Sequence, residues 1–299
     1  MPFTLSHVVA ILPVRKWLPP SALAVGAMVP DLPYYVPLPL SSNTTHGWLS
    51  GLPVNLLAGV AVLVVFHLVL RGPLTALAPE GVRARLPDRT PSGRGIAVVA
   101  ALLIGAATHL VWDGFTQVGG FAVVHWPVMR VSVVGAHRVF NMVMYVSSLG
   151  GLVVLACWFA LWYRRAAVRP GRWPGVTGLL RGWVLATGVG AAGVGAAMLG
   201  NSDRAAVSLY DLVRCVILGG IGGCGAVLVC YTGAWHVWSA MRSRPDALQP
   251  VHAEMSEPGA LQPVHAETGE PGALRSVHAE TSEAGVRDRD GARSSNIGL

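Results

Sequence analysis

The sequence predicts an all-α, polytopic helical membrane protein, with about five transmembrane helices, short interfacial helices before them and a disordered tail behind. Three observations carry this expectation. The 299 residues are 53% hydrophobic and only 12% charged, with a mean hydropathy of +0.52, where a soluble domain holds about 25% charged residues. Five stretches, roughly 52–70, 95–112, 139–162, 175–199 and 208–238, stay apolar over about the 20 residues that a bilayer demands. The charge is also unevenly spread. Residues 245–299 hold nine acids against four arginines, which leaves six acids in the first 244 residues: Asp31, Glu80, Asp88, Asp113, Asp203 and Asp211.

From the N-terminus, MPFTLSHVVAILPVRKW has no positive segment ahead of its apolar stretch and does not read as a cleaved signal peptide. Residues 18–40 are apolar, but Pro30, Pro33, Pro37 and Pro39 interrupt any helix, and Asp31 is costly at mid-bilayer. They read as a short helix at about 20–28, then an extended segment at the membrane surface or re-entrant. In NTTHGWL, Thr44 or Thr45 caps the first span and puts His46 in its first turn.

The loops orient the spans. Arg71, Arg83, Arg85, Arg89 and Arg94 fall in 71–94, and Arg164, Arg165, Arg169 and Arg172 in 163–174. Both loops are expected in the cytoplasm of a cell-membrane protein, together with the C-terminal tail; the stretch before the first span is then external. Gly188, Gly190, Gly193 and Gly195 in the fourth span and Gly219, Gly220, Gly222 and Gly223 in the fifth predict close helix packing. Cys157, Cys215, Cys224 and Cys230 lie in apolar segments without pairing spacing and read as small apolar residues.

The tail repeats with a period of 13, as ALQPVHAEMSEPG, ALQPVHAETGEPG and ALRSVHAETSEAG. It is too polar to bury a core. The division expected is a helical membrane domain over 1–240, with a motif region at 1–50 and the spans at 51–240, and a disordered acidic tail over 241–299. No stripe of basic and aromatic residues suggests nucleic acid. The expected partner is the lipid bilayer.

Seven histidines remain outside the tail. By this topology His46, His109, His125 and His137 lie near the external face with Asp113. Asp31 and His7 join them if 18–40 does not cross. His109 and Asp113, in THLVWDGFTQ, are four apart and share one face of a helix. An imidazole nitrogen and a carboxylate oxygen suit zinc or a similar divalent metal. A structural ion pair or a helix-end cap is the rival reading. Asp31, fixed between prolines in VPDLP, is expected as a ligand or as the general base that takes a proton from water. His125 is a further candidate for the shell, whereas His67 and His236 read as snorkelling or helix-packing residues.

MPFTLSHVVAILPVRKWLPPSALAVGAMVPDLPYY, then TTHG, THLVWDGFT and SSLGGL, in that order, resemble the DUF4184 family of bacterial membrane proteins. That family is itself similar to membrane-bound metal-dependent hydrolases of the DUF457 type. The resemblance covers roughly residues 1–165 and extends towards 240. It implies a helical membrane protein with a divalent-metal site on His7, Asp31, His46, His109 and Asp113. Two positions depart from the family pattern: Gln117 stands where the motif continues as FTH, and Met144 stands where a Gln is usual before the SS. The function expected is an external-face hydrolase of an ester or phosphoester in a lipid or envelope substrate. The alternative is a non-enzymatic metal-binding or envelope-structural membrane protein.

Overall fold

The computed structural model describes residues 4–36, 39–47, 49–87, 95–169, 171 and 173–242. The repeats of the tail and the 241–299 boundary lie outside them, apart from Met241 and Arg242. A 3₁₀ helix, Thr4–Ile11, opens the chain. The helices follow in order: α1 Pro20–Met28, α2 Leu32–Tyr35, α3 Ser42–Thr45, α4 Gly51–Val65, α5 Arg71–Leu77, α6 Glu80–Arg83, α7 Gly95–Thr116, α8 Phe121–His125, α9 Val139–Arg165, α10 Gly178–Gly200 and α11 Leu209–Arg242. A two-stranded antiparallel hairpin, Ser132–Val134 with His137–Arg138, is the one sheet among the described residues. Five helical stretches are long and apolar enough to cross a membrane: Gly51–Leu77, Gly95–His125, Val139–Arg165, Gly178–Gly200 and Leu209–Arg242. The protein is an all-helical integral membrane protein.

The first span runs seven residues beyond its expected end at 70. A π-helical turn, Phe66–Leu70, joins α4 to α5. Pro73 explains both the turn and its repair. Having no N–H, it leaves the Val69 carbonyl, four residues back, without its helical donor. His236 Nε2 on α11 donates to that carbonyl at 2.8 Å. An unpaired carbonyl in lipid costs several kcal/mol, so His236 is the packing residue the sequence suggests, with a specific partner.

The N-terminal segment sits against the spans. α1 packs along α7, and its Ala22, Leu23 and Ala27 join Ala101 and Leu102 of α7 in one core cluster with Ile11. Glycine permits this approach. A Cβ on Gly26 would lie 2.3 Å from the Leu102 carbonyl oxygen, and one on Gly105 would lie 2.4 Å from that of Leu23. Gly26→Ala is expected to push the two helices apart at a cost of about 1–3 kcal/mol, read as a lower thermal midpoint in detergent. An unchanged midpoint would show that the contact is not tight. On the other side, Gly151 of α9 admits the 3₁₀ helix, with a Cβ there lying 2.7 Å from Ser6 Cβ.

α10 and α11 form an antiparallel pair packed chiefly on each other. A Cβ on Gly195 would lie 2.2 Å from the Gly219 carbonyl oxygen, and one on Gly223 would lie 2.1 Å from that of Ala191, as the glycine pattern suggests. All four cysteines are free. Arginines gather at one end of the spans: Arg85 Nε donates to the Tyr163 carbonyl at 2.7 Å and Arg181 Nε to the Leu77 carbonyl at 2.9 Å. The polar residues of interest lie at the opposite end, where α7 finishes and α9 begins.

Candidate metal centre

Four segments deliver the side chains. Asp31 ends a single 3₁₀ turn, Val29–Asp31, set by Pro30 and followed by Pro33 in α2. His46 closes α3. It does not sit in the first turn of the first span, which begins after Ser50 without a side-chain cap from Thr44 or Thr45; Ser41 caps α3 by accepting from Thr44 N. Thr45 turns inward instead and donates to the Pro30 carbonyl at 2.7 Å. The Thr45 carbonyl in turn accepts from Asn55 Nδ2 of α4 at 2.7 Å. These two bonds hold α3 over the Asp31 turn. His109 and Asp113 lie on consecutive turns of α7 and share one face.

One ligand atom each from Asp31, His46, His109 and Asp113 lies within 4.8 Å of the other three. His109 Nε2 is 3.5 Å from Asp31 Oδ1 and 3.5 Å from Asp113 Oδ2. His46 Nε2 is 3.5 Å and 3.2 Å from the same two oxygens. The group is buried rather than on an external surface, contrary to the expectation. His109 is 0%, Asp31 1% and Asp113 5% exposed, and the His46 side chain, at 21%, has the most contact with solvent. The correction has a simple cause: α1, α2 and α3 fold over the end of α7 where the sequence suggested surface-lying segments.

The tautomers follow from the backbone. His109 Nδ1 is 2.7 Å from the Ala27 carbonyl, and His46 Nδ1 is 2.9 Å from the Ser42 carbonyl. A carbonyl only accepts, so each Nδ1 carries hydrogen and each Nε2 is turned towards the carboxylates. Thr4 donates to Asp31 Oδ2 and shares a 2.7 Å hydrogen bond with the Tyr35 hydroxyl. That leaves Asp31 Oδ1, Asp113 Oδ2 and His109 Nε2 buried without a hydrogen bond. Each such orphan costs about 1–3 kcal/mol. A cation shared among them removes that cost, so the donor set fits a divalent metal.

His7 lies beside the group but is not one of the four. It is 0% exposed and stacks on His109 with ring centroids 3.9 Å apart, and its Nε2 is 3.7 Å from Asp113 Oδ1. Burial, and then the neighbouring His109, push its imidazole down from 6.5 to about 3, so it is neutral at physiological pH. Burial alone would lower His46 too. The carboxylates of Asp113 and Asp31 outweigh burial and raise it from 6.5 to about 9. Burial pushes the Asp31 carboxyl up, but His109, His46 and Thr4 reverse this and hold it below the ordinary carboxylate range. A proton therefore competes with a metal for His46.

His125 stands apart from the group, exposed on α8, with Nδ1 bonded to the Phe121 carbonyl at 2.8 Å. Gln117 continues the turn after α7, its N–H bonding the Asp113 carbonyl, and Met144 is buried in α9. Thr4, Tyr35, Thr45, Asn55 and the Ala27 carbonyl support the group without having been singled out for it in the sequence. Only Asn55, polar in an apolar span, carried a readable signal.

Residues 1–232 match the model of the domain of unknown function DUF4184, and the chain belongs to that family. No curated protein and no solved structure matches the chain.

Proposed function

We propose that this DUF4184 protein holds one divalent metal ion in the Asp31–His46–His109–Asp113 group and uses it to hydrolyse an ester or phosphoester at the membrane. The observation that carries the reading is the convergence of four ligand atoms within 4.8 Å, two of them imidazole nitrogens fixed by backbone carbonyls. The mixed nitrogen and oxygen set suits zinc. A divalent ion in such a site supplies Lewis acidity, lowering the pKa of water to about 7 and polarising a carbonyl or phosphoryl oxygen.

The residues of the chain do the rest. Thr4, itself paired with the Tyr35 hydroxyl, fixes Asp31 Oδ2 and so turns Oδ1 towards the ion with the other ligand atoms. His7 remains uncharged and packs flat on His109, so it orients that ring and excludes solvent without repelling a cation. His46, the most accessible member, marks the entrance. The arginine-rich end faces the cytoplasm by the positive-inside rule, which turns the metal group outward.

The burial of the group, together with Gln117 and Met144, favours one second reading, a non-enzymatic metal-binding protein that stabilises the envelope. Purified in detergent, the chain is expected to carry one divalent ion and to cleave a phosphoester substrate. A bound ion with no turnover of any ester selects the second reading, and a protein that takes up no ion removes both.

A further inference from the structure

Beside the metal group, between α2, α9 and α11, lies a cavity of about 310 Å³, inside the range of small-ligand sites. It is graded along its depth. At its shallow end stand Tyr34 and Arg214, with the Arg214 guanidinium 5.6 Å from the Tyr34 ring centre. Arg214 is five residues into α11, about 8 Å from the start of that helix at 1.5 Å per residue, which is headgroup depth. Further along the same helices the lining turns to Leu149, Ile217 and Leu218. Arg214 is exposed and has no ion pair among the described residues. A cation over a hydrocarbon slot, open to a membrane, complements an anionic amphiphile.

The cavity is also wired to the metal group. The Tyr34 ring stands edge-on to His46, with centroids 6.2 Å apart. Tyr35, another wall residue, shares its hydroxyl with Thr4, which donates to Asp31. We propose that this cavity seats the acyl chain of an anionic phospholipid, with Arg214 on the headgroup phosphate, so that the lipid's ester region lies against Tyr34 and Tyr35, the wall residues that lead to His46 and Asp31. The proposal rests on the hydrolase reading only for what happens to the lipid; the binding site stands on its own residues.

The test is photolabelling of the full chain in phosphatidylcholine nanodiscs containing a trace of phosphatidic acid with a diazirine on its acyl chain. Adducts are expected on residues 144–149 and 213–218. Unlabelled phosphatidic acid should compete and inorganic phosphate should not. Arg214→Gln should reduce the labelling about tenfold, as expected for loss of one charge-assisted hydrogen bond, and Leu218→Trp should abolish it by filling the slot. Equal labelling by a phosphatidylcholine probe, or adducts scattered evenly over all lipid-facing helices, would overturn the proposal. So would full competition by inorganic phosphate, which would indicate a headgroup site with no seat for the chain. Metal content is measured on the same samples. Labelling that persists in an ion-free His109→Ala chain keeps the lipid site while the metal reading is judged separately.

Discussion

Asp113→Asn lowers the affinity for zinc by about a hundredfold or more, because it replaces one charged ligand in a site held together by outer contacts that are themselves worth 10–100-fold. The amide keeps the shape of the carboxylate, so the fold is retained and the loss is chemical. Thermal unfolding separates a metal centre from a plain cluster of ion pairs. A ligand bound only by the folded state stabilises it by about 2.7 kcal/mol at a hundred times its dissociation constant. Zinc should therefore raise the midpoint of the natural chain by several degrees and leave that of the variant unmoved. If chelator and zinc give the same midpoint for the natural chain, the four side chains are an ion-pair network and nothing more.

The second large effect is on pH, and it is present without the ion and absent with it. His46 titrates at about 9 in the ion-free fold against an ordinary 6.5. Its proton is held more tightly folded than unfolded. The stability this contributes is complete below 6.5 and is lost as the pH rises through about 9. Zinc must displace the same proton, so its affinity should climb by about tenfold per pH unit up to that value and then level off. Between pH 6.5 and 9 the ion-free protein thus becomes less stable while the zinc-bound one holds steady, because the rise in zinc affinity offsets that loss. Zinc titrations and melting curves across that interval measure both slopes. A flat affinity would remove His46 from the coordination sphere, and an ion-free midpoint that rises with pH would remove its pairing with the carboxylates.

Hydropathy made the five spans legible because each is long and almost free of charge. The site was legible for a related reason. In a body with six acids, each carboxylate needs a cause, and the helical spacing of His109 and Asp113 puts both on one face. What periodicity does not carry is depth. Residues 18–40 look like a surface or re-entrant segment because prolines punctuate them, yet Gly26 and Gly105 let α1 lie directly on α7 and bury the group. The first span runs past its expected end because the Val69 carbonyl, freed by Pro73, finds its donor in His236, 167 residues further along. Thr45 reads as a cap, and neither its partner nor that of Thr4, across 15 and 27 residues, leaves a local trace.

All four candidate ligands occur within residues 31–113, and the supporting Thr4, Tyr35, Thr45 and Asn55 fall within the first 55 residues. During synthesis, the means of gripping an ion are thus translated before α9 and the glycine-joined pair α10–α11. Of those later spans, α9 is then laid against the 3₁₀ helix and α7, and α11 against α2, around ligands that have already been translated.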